Sequence, residues 1–288
     1  MPSVFRLSSA TVIDLVGQDA GAILHNLTTN EIKSLPVGTG CETFITEVRG
    51  KMLAYVDAFR TAEGYRMIGA GGQAEVIASH ADRYTIREDA QPVDLSEQLT
   101  VFVVAPDAHD SIRVNTNWDE YATQVYPVQW LGSGTLLLVT ARPEFVEQQL
   151  SDLDQSWGDQ DAFHHARTLA GFPWFGIDLS DKNLPQEASR IEQTISFTKG
   201  CYLGQETVAR LDALGQVQKQ LMQWQSQGSI PAPASEVSSD GKVVGRLTSI
   251  AATSENTAVA IGVTRRSHFE PGSTAQGDGF TATTFVNP

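Results

Sequence analysis

Cysteine is scarce in this chain: Cys41 and Cys201 are the only two among 288 residues. Two thiols cannot build a disulfide framework, and they cannot supply the four ligands of an iron–sulfur cluster. The histidines give no zinc spacing either, because the adjacent His164 and His165 point to different sides of a helix. We therefore expect no metal centre within the chain. With only two cysteines, the simplest location for the protein is a reducing cytoplasm.

Long hydrophobic runs are also missing. The longest, residues 101–105 and 136–139, have the length of a β-strand and are too short to cross a bilayer. Residues 1–14 lack a basic segment followed by a long apolar run, which is the pattern of a secretory signal. The sequence therefore predicts a cytoplasmic protein that does not span a membrane.

Positive charge is in short supply, with 20 Lys and Arg against 34 Asp and Glu and a net charge of −14. Five basic and five acidic residues balance each other in 216–288, so the excess negative charge lies in 1–215. Such an acidic body repels phosphate backbones. Direct nucleic-acid binding is therefore unfavourable, although a local basic pocket remains compatible with the composition.

The hydrophobic content of 41% and the length of 288 residues indicate a globular protein of two or three domains. In the first part, Ala20, Ile23, Leu24 and Leu27 have helical spacing, with Asp19 placed as a cap. Three strands and a helix are predicted next, at 42–48, 52–60, 65–70 and 73–84. Hairpins and helices thus mix without regular βαβ alternation, which indicates an α+β fold.

A second α+β section and an all-β section follow. The second section has predicted strands at 100–105 and 135–140 and predicted helices at 143–150 and 159–169. Beyond residue 210 the predicted elements are all strands, separated by turn-rich segments: 216–225, 242–250, 258–265 and 280–286. They favour a small β-barrel or sandwich. We place the boundary near 211–216, which gives an α+β region over 1–213 and a β-domain over 214–288.

The most informative run extends from Lys199 to Glu206 and reads K-G-C-Y-L-G-Q-E. It combines a thiol, an ammonium, an amide and a carboxylate with two glycines, a mixture that a packed core does not need. A helix starting near Gly204 and the cation of Lys199 would both lower the pKa of the Cys201 thiol and favour a reactive thiolate. The alternative is that Cys201 is an inert buried thiol and that the glycines only turn the chain.

This run resembles the signature K-G-C-Y-x-G-Q-E of the YgfZ family, folate-binding proteins related to the aminomethyltransferase (T-protein) of the glycine cleavage system. All specified positions are present: Lys199, Gly200, Cys201, Tyr202, Gly204, Gln205 and Glu206. Further segments are similar to the family's, at 24–30, 50–51, 167–178 and 245–249. The resemblance implies a cloverleaf of two interleaved α+β domains and a C-terminal β-barrel around a central folate channel.

The resemblance also implies a folate site. In T-proteins the glutamate of a P-x-E segment contacts the pterin ring of tetrahydrofolate, and Glu187 of Pro185-Gln186-Glu187 occupies that position. A carboxylate can accept two hydrogen bonds from the adjacent donors of a pterin. The alternative is that Glu187 is a solvated acid near a helix cap.

Four further residues are candidates for the same channel. Arg210 could meet the glutamate tail of folate, or form an ion pair with Glu206 four residues earlier on a helix. Tyr202 and Trp174, with Phe175, could wall an aromatic slot for the ligand's rings or belong to an ordinary core.

Two departures from the T-protein pattern concern catalysis. The T-protein aspartate that follows the glycine of the first hairpin is replaced here by Ala54 or Tyr55, although Asp57 returns to the Tyr55 face of the strand. Leu169 replaces the glutamate of the T-protein motif R-L-E-A-G. We therefore expect folate binding with poor release of ammonia from an aminomethyl group.

The resemblance thus implies a cytoplasmic tetrahydrofolate-binding accessory protein that supports assembly or repair of iron–sulfur proteins. Its link to tRNA modification would be indirect, through tRNA-modifying enzymes that depend on such clusters. Two alternatives stay open. One is a folate-dependent aminomethyl or formyl transferase that uses a substitute acid such as Asp57. The other is a binding module in which Cys201 is structural.

Overall fold

The structure, a computed structural model, describes residues 2–109, 112, 118, 122–153, 155–215 and 217–286. Within them the chain forms two five-stranded sheets, a closed six-stranded barrel and six α-helices. The helices are α1 (Ala20–Leu27), α2 (Ala74–Tyr84), α3 (Pro143–Asp152), α4 (Gln160–Ala170), α5 (Ile191–Thr194) and α6 (Gln205–Leu214).

The strands of the two open sheets come from the first 158 residues. They are β1 (Val4–Arg6), β2 (Ala10–Val16), β3 (Gly40–Thr46), β4 (Met52–Arg60), β5 (Gly64–Ala70), β6 (Gln91–Asp94), β7 (Thr100–Val104), β8 (Thr123–Val128), β9 (Thr135–Thr140) and β10 (Trp157–Gly158). One sheet has the order β3-β4-β5-β2-β6 and the other the order β10-β1-β7-β9-β8.

The two α+β units are interleaved. The chain begins with β1 in the second sheet, builds the whole first sheet, and then returns to complete the second with β7 to β10. Helices α1 and α2 bury apolar residues such as Leu24 and Ile77. These residues share one core with Ile13 and Tyr65 of the first sheet. The predicted α+β fold with interleaved units is therefore confirmed.

The C-terminal strands close into a barrel in the order β11-β14-β13-β12-β15-β16. Trp224 is fully buried inside it, and its indole Nε1 donates to Thr264 Oγ1 at 2.9 Å. The barrel strands are β11 (Lys219–Gly228), β12 (Glu236–Ser239), β13 (Lys242–Ser254), β14 (Thr257–Arg265), β15 (Thr274–Gly277) and β16 (Phe280–Phe285). The barrel, rather than the alternative sandwich, is the correct prediction, while the boundary at 213/214 stays a prediction.

A buried ionic network joins the α+β region to the barrel. Arg167 of α4 donates to Asp178 Oδ2 at 2.8 Å and to Ser249 Oγ of β13, also at 2.8 Å. Ser249 and Trp174 N donate to the same carboxylate. Because both charges are almost completely buried, each needs these partners, and removal of one would strand the other.

The local predictions that differ from the structure include a helix cap and the start of a strand. Asp19 stands at the N-cap position of α1, but its carboxylate accepts from Asp89 N at 2.8 Å and caps no amide of the helix. The strand predicted from residue 216 begins at Lys219, and residue 216 itself lies outside the described residues.

Candidate functional site

The signature segment 199–206 is fixed between α1 and the hairpin of β3 and β4. Leu203 N donates to Asn26 O at 2.9 Å, just before the end of α1. Leu203 O accepts from Thr46 Oγ1 at 2.7 Å, at the end of β3. The segment leads into α6, which begins at Gln205 as its sequence predicts.

Two glycines allow this close approach. Gly204, the N-cap of α6, has φ +81°, and a Cβ there would lie 2.5 Å from Gly50 Cα. Gly50, in the β3–β4 hairpin, has φ +82°, and its Cβ would lie 2.9 Å from Thr207 Cβ. Side chains on either glycine would force the hairpin and the signature segment apart.

Lys199 connects the signature segment to the end of α1 and the following turn through hydrogen bonds. Its ammonium donates to the carbonyl oxygens of His25, Thr28 and Asn30 at 2.7, 2.6 and 2.8 Å. Burial lowers the pKa of Lys199 to about 8. Because these carbonyls take all three ammonium hydrogens, the structure gives Lys199 a structural role. The predicted activation of the Cys201 thiol by Lys199 stays a prediction, because no contact between the two side chains is found among the described residues.

Cys201 is exposed and lies on a shallow groove of about 370 Å³. The groove is mainly apolar and is lined by Ile23, Leu27, Tyr84, Tyr202 and Leu203, with Asn26. Cys201 is therefore not a buried thiol, and its reactivity stays a prediction. Cys41 is the shielded thiol, and burial raises its pKa to about 12.

A histidine that the sequence did not connect with Cys201 lies beside the signature segment. A Cβ added to Gly200, the neighbour of Cys201, would lie 3.5 Å from His25 Nε2. Burial and the nearby Lys199 lower the pKa of His25, so its ring is neutral at physiological pH. The sequence could not predict this proximity, because 176 positions separate His25 from Cys201.

Glu187 lies at the wall of a cavity of about 580 Å³ between the 3₁₀ turn at Pro185–Ala188 and the barrel. It is 9% exposed, and its Oε2 accepts from Asn183 Nδ2 at 2.8 Å and lies 3.6 Å from Lys219 Nζ. Oε2 also accepts from Leu184 N at 3.4 Å, at the start of the 3₁₀ turn. Every hydrogen bond and ion pair found between the described residues and this carboxylate involves Oε2, and none involves Oε1.

The barrel side of the Glu187 cavity is basic, which sequence reasoning missed. Lys219, Arg246, Arg265 and Arg266 all line it, and Val243 and Val263 give it an apolar floor. These are four of the five cations of residues 216–288; the fifth is Lys242. A neutral overall balance in this region concealed their clustering, which the strand register produces.

An aromatic centre occupies the junction of the two sheets. Trp174, 6% exposed, packs edge-on against Trp130 with ring centroids 5.0 Å apart. Asp57 is 4% exposed and accepts from Trp130 Nε1 at 2.7 Å. The cavity that Trp174 and Asp57 share with Tyr55 and Phe175 measures only about 10 Å³, enough for one water molecule at most.

An acid pair lies within this centre. Glu42 faces Asp57 across the β3–β4 pair. The Glu42 carboxylate accepts from Tyr55 Oη at 2.7 Å and from the guanidinium of Arg190 through both oxygens. Burial, reinforced by Glu42, raises the pKa of Asp57 to about 8. Asp57 is therefore a mainly protonated carboxyl group at neutral pH.

The four residues predicted to bind folate lie at four different places. Glu187 lines the 580 Å³ cavity, Trp174 belongs to the aromatic centre, and Tyr202 lines the Cys201 groove. Arg210 is exposed on α6, as is Glu206, and in the described part of the chain the two form no ion pair. Glu187 and Tyr202 therefore line two different cavities of ligand size, about 580 and 370 Å³, and neither Trp174 nor Arg210 lines either of them.

Neither a metal cluster nor a membrane helix is found in the described ranges. Among these residues no group of three or more His, Cys, Asp or Glu is placed to hold a metal ion. No described helix is long and apolar enough to cross a membrane.

Similarity to known proteins extends along most of the chain, although no family model matches it. The tRNA-modifying protein YgfZ of Colwellia psychrerythraea is 22% identical over 81% of this chain and 75% of its own length. The mitochondrial iron–sulfur cluster assembly factor IBA57 of Mus musculus is 27% identical over 79% of this chain and 67% of its own length. The chloroplast protein At1g60990 of Arabidopsis thaliana is 24% identical over 85% of this chain, and the match spans only 61% of that longer protein.

The fold has a solved counterpart. The glycine cleavage system aminomethyltransferase T of Bartonella henselae superposes with a TM-score of 0.83 over 98% of this chain and 84% of its own, at 15% identity. The resemblance found in the signature segment is thus confirmed: the chain is a homologue of the YgfZ and IBA57 proteins and has the T-protein fold.

Proposed function

From its homology to the YgfZ and IBA57 proteins, we propose that this chain is a tetrahydrofolate-binding accessory protein that supports assembly or repair of iron–sulfur proteins. One observation carries the folate assignment: Glu187, a residue only 9% exposed, lines a cavity of about 580 Å³. Sites for small molecules and cofactors have volumes of roughly 300–1,000 Å³. The cavity therefore fits a ligand of folate size.

The groups around the cavity match the parts of a folate. Glu187 Oε1 can accept from the amino and N–H donors of a pterin, while Asn183 and Lys219 hold Oε2. Val243 and Val263 offer an apolar surface to the aminobenzoyl ring, and the nearby arginines suit carboxylates. The chain would bind and orient the ligand; any one-carbon chemistry would be supplied by the folate itself.

Calorimetric titration with tetrahydrofolate and 5-formyltetrahydrofolate tests the binding. We expect saturable micromolar affinity, weakened about tenfold or more in Glu187→Ala because charge-assisted hydrogen bonds are lost. Glu192→Ala is the matched control, since Glu192 is an exposed acid five residues away that is not among the cavity residues. Equal affinity of wild type and Glu187→Ala would refute the anchor assignment.

Cys201 is proposed as the functional thiol toward iron–sulfur partners. Support comes from its exposure on an apolar groove beside Tyr202 and Leu203, which a partner protein can reach. The homologues are named for cluster assembly and for tRNA modification. An effect on tRNA modification would follow from cluster assembly, because some tRNA-modifying enzymes carry iron–sulfur clusters. We propose a reducing compartment, with the cytoplasm as the simplest one, because both described cysteines are free.

The cellular test compares four proteins in cells that lack the endogenous one. Wild type should restore the activity of cluster-dependent enzymes, while Cys201→Ser and Glu187→Ala should each restore less than the Glu192→Ala control. Full restoration by Cys201→Ser would instead favour the binding module with a structural cysteine.

The transferase alternative depends on Asp57. This carboxyl group is buried beside a cavity of about 10 Å³ and hydrogen-bonded to Trp130. It lines a different cavity from Glu187, and its raised pKa keeps it protonated at neutral pH. We therefore rank the accessory function above transfer chemistry.

A further inference from the structure

We propose that Asn183 is a positioning residue for the Glu187 carboxylate and makes this site specific for ligands that offer hydrogen-bond donors, such as the amino group of a pterin. A ligand with a carbonyl oxygen in place of that amino group is rejected. The inference rests on the proposed folate binding and deepens it by naming the residue that sets its specificity. It is carried by one buried contact: Asn183 Nδ2 donates to Glu187 Oε2 at 2.8 Å.

The orientation of the Asn183 amide follows from its other neighbour. Ser180 N donates to Asn183 Oδ1 at 3.0 Å, and a backbone N–H cannot accept a hydrogen bond. Ser180 Oγ donates to the same oxygen at 3.3 Å and itself accepts from Lys182 N, so both contacts are compatible with one hydroxyl hydrogen. The oxygen of the amide therefore faces Ser180, and its NH₂ group faces Glu187.

The backbone holds the two side chains at this distance. Asn183 N donates to Ser180 O at 3.1 Å, and Asn183 O accepts from Met52 N of β4 at 3.1 Å. Glu187 N donates to Leu184 O at 2.9 Å, which closes the 3₁₀ turn that separates the two residues. Asn183 and Glu187 are only 8% and 9% exposed. A contact between two fixed and nearly buried groups is preorganised, so little ordering is needed when a ligand binds.

The groups around Glu187 Oε2 are all donors. Besides Asn183 Nδ2, Leu184 N lies 3.4 Å away and Lys219 Nζ lies 3.6 Å away. An amide NH₂ group, a backbone N–H and an ammonium can each donate a hydrogen bond but cannot accept one. These described residues therefore hold Oε2 as an acceptor, and the carboxylate that lines the cavity offers acceptors to a ligand.

This arrangement discriminates between ligands by the kind of hydrogen-bonding group that they present. The amino group and the adjacent ring N–H of a pterin both donate, so they match a carboxylate. A ring with an oxo group in place of the amino group loses one hydrogen bond and brings two oxygens together. A site built for hydrogen bonds rejects an analogue that leaves its polar groups unpaired. Asn183 contributes to the rejection because it stops the Glu187 carboxylate from turning away.

Calorimetry at pH 6.5 with 5-formyltetrahydrofolate, and with its analogue that carries a 2-oxo group in place of the 2-amino group, tests the inference. We expect wild type to bind the amino form about thirtyfold tighter. Asn183→Asp keeps the acceptor for Ser180 N but places a second carboxyl group against Glu187 Oε2, and two such groups share one proton. Glu187 can then donate, so this variant should bind the oxo analogue about tenfold tighter than wild type does. A purely structural loss does not raise an affinity.

Two further variants complete the test. Asn183→Ala removes the donor without adding charge, and it should bind the amino form about fivefold more weakly with little change for the oxo analogue. Asn256→Asp is the control for the added charge, because Asn256 is exposed and is not among the cavity residues. It should bind both forms as wild type does. Thermal unfolding before each titration establishes which variants are folded.

The outcomes separate this inference from the proposed function. If 5-formyltetrahydrofolate does not bind to folded wild type, folate binding itself fails. If it binds but wild type does not distinguish the two forms, folate binding stands and the inference is overturned. If folded Asn183→Asp gains no affinity for the oxo analogue, the inference is also overturned. Should that variant not fold, Asn183→Ala decides, because equal weakening of both forms would make Asn183 a purely structural residue.

Discussion

Asp57→Asn should change how the stability of the protein depends on pH. Asp57 is 4% exposed, faces Glu42 across the β3–β4 pair and accepts from Trp130 Nε1 at 2.7 Å. Asparagine has the same shape and its amide oxygen can accept the same indole hydrogen, but it does not titrate. The variant therefore removes the titration of this carboxyl group.

The magnitude follows from the raised pKa. Asp57 titrates at about 8 in the fold and at about 4 when unfolded. Between these values the folded state holds one proton more than the unfolded state, so the free energy of unfolding falls as pH rises. The slope approaches about 1.4 kcal/mol per pH unit. From pH 5 to pH 7, the wild type should lose on the order of 3 kcal/mol relative to Asp57→Asn.

Urea denaturation followed by tryptophan fluorescence at pH 5, 6 and 7 measures this difference. The gap between Asp57→Asn and wild type should widen steadily with pH. Asp181→Asn is the control, since Asp181 is exposed and should track wild type at each pH. Parallel profiles for wild type and Asp57→Asn would mean that Asp57 is ionised in the fold. That result would contradict a protonated Asp57 carboxyl group in the aromatic centre.

Three further predictions concern the signature segment. Iodoacetamide at pH 8 should label Cys201 at least about a hundred times faster than Cys41, whose pKa of about 12 leaves very little thiolate; equal rates would contradict the assigned burial. Gly204→Ala should cost about 3 kcal/mol of unfolding free energy because its Cβ would clash with the β3–β4 hairpin. Gly215→Ala, also at positive φ but with open space around its Cβ, should cost only about 1 kcal/mol, and similar losses in the two variants would exclude the clash. Lys199→Met should lower the thermal midpoint by several degrees through three lost hydrogen bonds, while the Cys201 labelling rate in the folded protein stays within about twofold. A large drop in that rate would restore Lys199 as the activator of the thiol.

The local sequence pattern predicted the bounds of a strand correctly where the strand is a distinct apolar run. Strand β4 (Met52–Arg60) and strand β9 (Thr135–Thr140) are predicted to the residue, since each is an apolar run bounded by polar or turn residues. Strands β1 and β10 were missed because they have three and two residues and exist only through pairing with each other and with β7. Their pairing spans about 150 residues of sequence, which no local pattern reports.

Sequence motifs named candidate site residues, but they did not give the arrangement of these residues in space. Glu187 could be singled out from its motif, but the cations opposite it depend on the register of the barrel strands. The Lys199 ammonium could be named but not placed, because its three acceptors lie in residues 25–30. A short motif thus names candidate groups, whereas the partner of each charge is set by the tertiary fold.

A crystal structure of the protein with 5-formyltetrahydrofolate tests the central claim most directly. We predict ligand density in the cavity beside Glu187, with the pterin near Oε1 and the tail directed toward Arg246 and Arg265. Density in an opened aromatic centre around Asp57 and Trp174 would contradict that location and return the transferase alternative to first place. Crystals grown at saturating ligand with no density at either position would contradict folate binding.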